Sequence, residues 1–164
     1  MSDKREEILE QLLVILESIP PLLGYDEHSV FRNRGEIKED KRPCIIILDG
    51  VENANTSNER KGRVFMSTNI ITLLPQIFVL LKTRMTPTND GVGEELSTFR
   101  AAIIKSLADD KTLADLCGPN GMISFRRCET DMQTGSTLQG QMRLDFAINY
   151  VLDPTTLPLE PAGT

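Results

Sequence analysis

Between Gln141 and Leu152 the chain alternates with a period of two. Met142, Leu144, Phe146, Ile148, Tyr150 and Leu152 share one parity, and Gln141, Arg143, Asp145, Ala147, Asn149 and Val151 the other. Successive side chains of a strand point to opposite faces, so this alternation predicts a β-strand with one face on a core. Such a strand needs partners. Cys44-Ile45-Ile46-Ile47-Leu48, introduced by Pro43, is an apolar run without polar alternation, which predicts a central strand covered on both faces. Asp49-Gly50 reads as the turn that stops it.

Further strand candidates are Val30 to Arg34, Met66 to Leu74, Gln76 to Lys82 and Met122 to Glu129. Pro75, which has no N–H to give a ladder, marks a bulge, a bend or an edge. The polar segment Thr130 to Gly140 reads as the hairpin connection into the alternating strand. The segments Val51 to Gly62 and Thr86 to Gly93 read as long polar connections.

Helices frame these strands. Ile8, Leu9, Leu12, Leu13, Ile15, Leu16 and Ile19 recur at helical spacing, with Asp3, Glu6 and Glu7 at the end where negative charge favours the helix dipole. Pro20-Pro21 is read as its end. A second helix opens at Glu94 and carries Leu96, Phe99, Ile103, Ile104 and Leu107; a short helical turn at Thr112 to Cys117 ends at Gly118-Pro119. The order predicts an α/β (α+β) fold: a mixed, largely antiparallel sheet with helices covering one face. At 164 residues the expectation is a single domain, with a globular core over 1–152 and an extended Pro-rich tail over 153–164.

Eighteen Lys and Arg against 24 Asp and Glu leave a net charge of −6, which opposes nucleic-acid binding because that binding draws on cations displacing counterions. The apolar stretches break well before the ~20 residues of a membrane span, and the charged start is unlike a secretory signal. A soluble, intracellular protein is expected. Cys44, Cys117 and Cys128 form no CxxC pair and His28 is the one histidine, so buried free thiols are expected and no metal or cofactor.

No catalytic motif emerges. Gly91-Val92-Gly93 precedes a helix as a phosphate-cradling turn would, but a third glycine is missing and Glu94 and Glu95 would repel phosphate. Asp49 and Glu52 flank a turn as candidate paired carboxylates, and His28 is a candidate base. Each more often serves as an ordinary solvated or capping group. Arg60, Lys61 and Arg63 form one basic cluster and Arg126-Arg127 another; these are either solvent-facing charge or partners for an acidic neighbouring subunit.

Taken together, Val30-Phe31-Arg32-Asn33, Arg42-Pro43-Cys44-Ile45-Ile46-Ile47-Leu48-Asp49-Gly50, Leu113-Ala114-Asp115-Leu116, Gly121-Met122-Ile123-Ser124-Phe125 and Gly140-Gln141 through Tyr150 carry a resemblance. The chain resembles the tail terminator (tail completion, or minor tail) proteins of long-tailed, lambda-like bacteriophages, from the first helix to Leu152. The resemblance implies a non-enzymatic structural protein of the virion, assembled in the host cytoplasm. Such a protein forms a ring, typically a hexamer, that caps the major tail tube protein, stops its polymerisation and offers the surface where head–tail connector proteins join. The loops 49–63 and 83–93 are the matching contact candidates, which makes Asp49, Glu52, Arg60, Lys61, Arg63, Arg84, Asp90, Arg126 and Arg127 the candidate interface residues. A head–tail connector or neck protein is the neighbouring alternative, and a small hydrolase using Asp49, Glu52 or His28 the alternative of another class.

Overall fold

In the computed structural model, residues 3–25, 29–54, 69–82, 91–119, 121–134 and 138–157 are described. Helix α1 spans Lys4–Glu17, and its N-cap Asp3 accepts a hydrogen bond from the Arg5 N–H at 3.1 Å. That bond satisfies a backbone donor the helix cannot satisfy itself. Its Ile8, Leu9, Leu12, Ile15 and Leu16 are buried, as the helical spacing predicts. Pro20 and Pro21 do not simply end the segment. They open a short helix α2 (Ile19–Leu22), where a missing N–H costs little because first-turn donors are unpaired anyway.

The strands are β1 (Val30–Arg32), β2 (Cys44–Ala54), β3 (Asn69–Leu80), β4 (Met122–Thr134) and β5 (Leu138–Leu152). They form one five-stranded sheet in the order β1-β2-β3-β5-β4. β1 runs parallel to β2 and every other pair is antiparallel. This is the α+β architecture with a mixed, mostly antiparallel sheet that the periodicities predict. β4 and β5 are longer than expected on their facing ends, so their hairpin connection shrinks to the few residues between Thr134 and Leu138.

Helices α3 (Gly91–Asp109) and α4 (Lys111–Cys117) join α1 on one face of the sheet. α3 begins at Gly91, ahead of the expected Glu94. Asp110 caps α4 by accepting from the Leu113 N–H at 2.7 Å and also accepts from Gln11 Nε2 at 3.2 Å, which ties α4 to α1. Leu12, Leu16, Phe99, Ile103 and Leu107 of the helices pack on Ile45, Ile47, Leu73, Ile77, Leu144 and Ile148 of the sheet. Fully burying one such side chain stabilises by about 1.5–3 kcal/mol.

β2 is interior in the sheet, and its Cys44 to Ile47 end is covered on both faces, as the unbroken apolar run requires. Ile45 and Ile47 face the helices, while Cys44 and Ile46 join Ile37 in a small second cluster on the other side. Its end was misread from sequence. Asp49-Gly50 does not stop the strand, which continues to Ala54 across a bulge: Leu48 pairs with Gln76 and Val51 with Leu74, so Asp49 and Gly50 together oppose Pro75. Pro75 has no N–H to lose from the ladder, and that is why it is tolerated inside β3, a single strand where two stretches were expected. The tail also departs from expectation at its start, since Pro154–Thr156 forms a 3₁₀ turn rather than extended chain.

Cys44 and Cys117 are buried and Cys128 is half-buried; all are free thiols. Burial pushes the Cys44 thiol up to about 11, partly offset by the nearby Arg42 charge. Cys128 is therefore expected to react first with a thiol reagent at neutral pH. Cys44 should remain unlabelled until denaturant is added, and early labelling of Cys44, read by peptide mass spectrometry, would contradict this packing.

Candidate functional site

Two clusters of chemically capable side chains lie on opposite faces of the sheet. The first sits where the N-terminus of α1 meets β1 and β2. The Arg32 guanidinium donates to Asp49 through Nε at 2.8 Å and Nη2 at 2.9 Å, and to Glu6 Oε2 through Nη2 at 3.0 Å. Arg5 stands 3.7 Å from Asp49 and 3.9 Å from Glu52. The Tyr150 hydroxyl donates to Glu52 Oε1. Asp49 and Glu52 both face the helices because the bulge at Asp49-Gly50 shifts the side-chain parity of β2 by one.

This cluster is electrostatically settled. The Arg32 hydrogen bonds hold Asp49 below its ordinary value of 3.8, against the opposing effect of burial, and hold Glu6 below its ordinary 4.5. Arg32 is raised beyond its already high value by the same bonds, so it stays charged. Burial and then the hydrogen bond to Glu52 push the Tyr150 phenol up. A carboxylate held ionised by a two-pronged guanidinium has no proton to donate at neutral pH, so Asp49 acts here as an anchor for Arg32.

The second cluster occupies the face of the sheet away from the helices. β4 carries its own bulge: Phe125 pairs with Phe146 and Arg127 with Asp145, leaving Arg126 as the extra residue. The two bulges lie on either side of Pro75 and Phe146, so both register shifts fall on one transverse line of the sheet. A groove of about 450 Å³ opens there, lined by Val51, Leu74, Arg126, Arg127, Arg143 and Asp145 among others. Arg127 pairs with Glu129 at 2.6 Å and Arg143 with Asp145 at 2.8 Å. Arg126 is exposed.

Beyond that line the open face is mixed: exposed apolar side chains flank a polar row of Asn53, Thr72 and Asn149, in which the Thr72 hydroxyl donates to Asn149 Oδ1 at 2.9 Å. Ile70 pairs with Val151, Val51 with Leu74, and Met122 with Asn149, all directed away from the helices. Met122, Val51, Ile70 and Val151 are 59%, 61%, 47% and 41% exposed. Among the described residues nothing covers this patch, which spans four neighbouring strands. Apolar side chains gathered on one sheet face mark a protein-binding surface more often than scattered ones do.

Of the residues singled out from sequence, Asp49 and Glu52 come together, but in the helix-side cluster. Arg126 and Arg127 line the open-face groove. Arg60, Lys61, Arg63, Arg84, Asp90 and His28 lie outside the described residues. Sequence reasoning missed Arg32, Glu6 and Tyr150, which reach Asp49 and Glu52 from distant parts of the chain. It also missed the exposed apolar side chains, although β3 shows a signal: Ile70, Leu74, Phe78 and Leu80 fall on its second parity, interrupted by Thr72 and Gln76. Among the described residues there is no group of His, Cys, Asp and Glu suited to hold a metal ion, and no helix long and apolar enough to cross a membrane. No protein-family model and no curated protein matches the chain.

Proposed function

We propose that this chain is a structural subunit of a phage tail, a terminator that assembles into a ring on the end of the tail tube. In this role it stops tube polymerisation and presents the surface to which the head joins. The observation that carries the assembly reading is the set of exposed apolar side chains on the open face, Met122, Val51, Ile70 and Val151, bordered by the arginine-lined groove. The resemblance of the strand and turn segments to tail terminators turns assembly into this particular object.

The physical logic is that of a heterologous contact. A ring arises when one surface of a subunit meets a different surface of the next and the rotation closes. A chain of net charge −6 repels its own copies, and exposed cations such as Arg126, set beside apolar area, offset that repulsion locally. The proposal includes a hexamer, the tube protein as one partner and connector proteins as the other.

The test is addition of the purified chain to growing tail tubes, followed by negative-stain imaging and tube-length measurement. Rings at one tube end and arrested growth are expected. Ile70→Asp is expected to weaken tube capping at least about tenfold, since a charge then has to be desolvated in the contact. Unchanged tube growth with no bound chain would sink the reading, and binding to tail-free heads instead would replace it with a neck role.

A further inference from the structure

The sheet ends in two unlike edges. β1 contributes 3 residues at one side, whereas β4 runs for 13 residues at the other, with β5 on one flank and no strand on the second among the described residues. Alternate N–H and C=O groups of such an edge point outward as a template for another strand, and charges or a bulge commonly blunt it. β4 has both devices, but its charges are segregated. Arg126 and Arg127 precede Cys128, while Glu129 and Asp131 follow it. A strand with one basic half and one acidic half is complementary to its own reversed copy.

Face parity limits the ways in which two such strands meet. Arg127, Glu129 and Asp131 stand opposite Asp145, Arg143 and Gln141 of β5 and share the open face; Cys128 and Thr130 stand opposite Leu144 and Met142 and share the helix face. Residues directly opposite in an antiparallel pair point to the same face, so a strand that pairs with its own copy is centred on a residue. Centring on Arg127, Glu129 or Asp131 sets that charge against itself. Centring on Thr130 sets Glu129 against Asp131. Centring on Cys128 sets Arg127 against Glu129 twice.

We infer that the β4 edges of two copies pair antiparallel about Cys128 and join the two five-stranded sheets into one. Arg127 and Glu129 already pair at 2.6 Å within one copy, with side chains 61% and 53% exposed. The second copy adds the opposite charge across the strands, so the four side chains form a square of alternating sign. Past the bulge, Thr130 meets Phe125 of the second copy, and Asp131 meets Ser124 with Arg126 beside it as the extra residue. Arg126 and Asp131 have no charged partner of their own among the described residues; Asp131 accepts from the neutral Gln141 Nε2 at 3.3 Å. Phe125, 37% exposed at this edge, is covered by the second strand.

Opposite charges placed directly across two strands stabilise the pair, and like charges there destabilise it. A single strand pair is a small interface, so the association is weak and sensitive to each charge. The contact is isologous and closes at two copies. It is therefore not the ring contact of the proposed terminator, and it stands without that reading. Edge pairing also leaves Met122, Val51, Ile70 and Val151 uncovered on the open face.

Sedimentation of the full chain from micromolar to submillimolar concentration tests the contact without any tail tube, and a monomer–dimer equilibrium is expected. Diamide, an oxidant that joins two thiols as a disulfide, is expected to cross-link the dimer through Cys128. Facing residues of an antiparallel pair lie about 4.5–5.5 Å apart at Cα, inside the roughly 4.4–6.8 Å that a disulfide spans. Peptide mass spectrometry identifies the joined cysteines. Arg127→Glu and Glu129→Lys should each weaken the dimer about tenfold or more, because the symmetry applies each change twice. The two changes together should restore it. Thermal stability of the dilute variants serves as the control and should not move, since both side chains are exposed. A chain that stays monomeric throughout, a dimer that diamide does not join at Cys128, or a charge swap without rescue would overturn the proposal.

Discussion

Gly50→Ala is expected to destabilise the chain by about 3 kcal/mol, a change large enough to need a named steric cause. Gly50 sits at φ +73°, and a Cβ there would lie 1.9 Å from the Leu74 carbonyl oxygen and 2.8 Å from its carbonyl carbon. Both obstacles are backbone, so no rotamer change relieves them. Gly24 separates the two contributions, because it has φ +86° but open space around its Cβ position. Gly24→Ala should cost only about 1 kcal/mol, the price of the left-handed backbone alone. Denaturant unfolding measures both, and for a chain of this size the Gly50 variant should melt about 10 °C lower. Equal losses at the two glycines would mean that the β2 bulge is not held as described. The bulge matters beyond stability. Without its extra residue Glu52 would turn to the open face and lose Tyr150, and Val51 would leave the exposed patch.

Arg32→Met is expected to cost about 2 kcal/mol near neutral pH, because removing one partner leaves Asp49 and Glu6 facing each other without the cation between them. The side chains of Arg32, Asp49 and Glu6 are 24%, 18% and 40% exposed, so solvent screens part of the loss and holds it below that of a fully buried pair. The same variant changes the acid limb of stability. Asp49 and Glu6 have folded values depressed below 3.8 and 4.5, so their contribution is fully present above about pH 5. As the pH falls through those ordinary values the unfolded chain binds protons first, and the contribution is lost until the folded carboxylates protonate in turn. In Arg32→Met this decline below pH 5 should flatten. Chemical denaturation at a series of pH values reads it, and parallel acid limbs for the two proteins would show that Arg32 does not hold these carboxylates.

The elements that were legible in the sequence are those whose pattern is local. α1 shows in the helical spacing of Ile8 to Leu16, β5 in its strict alternation, and β2 in its apolar run. Each follows from side-chain periodicity set by backbone geometry, which a chain displays before it folds. The misread points share one cause. Asp49-Gly50 has the composition of a turn, and only the Leu74–Pro75 backbone opposite decides that the chain passes through as a bulge. Pro20-Pro21 breaks α1, but the packing of Ile19 draws the prolines into a further helical turn.

The candidate sites were less legible than the fold. Arg126 and Arg127 stand out as neighbours in sequence, yet their role follows from a register shift against β5 that no local pattern announces. Arg32 gives no signal at all, because its partners are 17 and 26 residues away and meet it only through the parallel pairing of β1 with β2 and the approach of α1. The sequence by itself determined a mixed sheet, the helices that cover it and an acidic surface. Tertiary structure alone decided which face of that sheet the helices cover and which charges meet, because burial and ion pairing depend on distances between segments that the chain order does not contain.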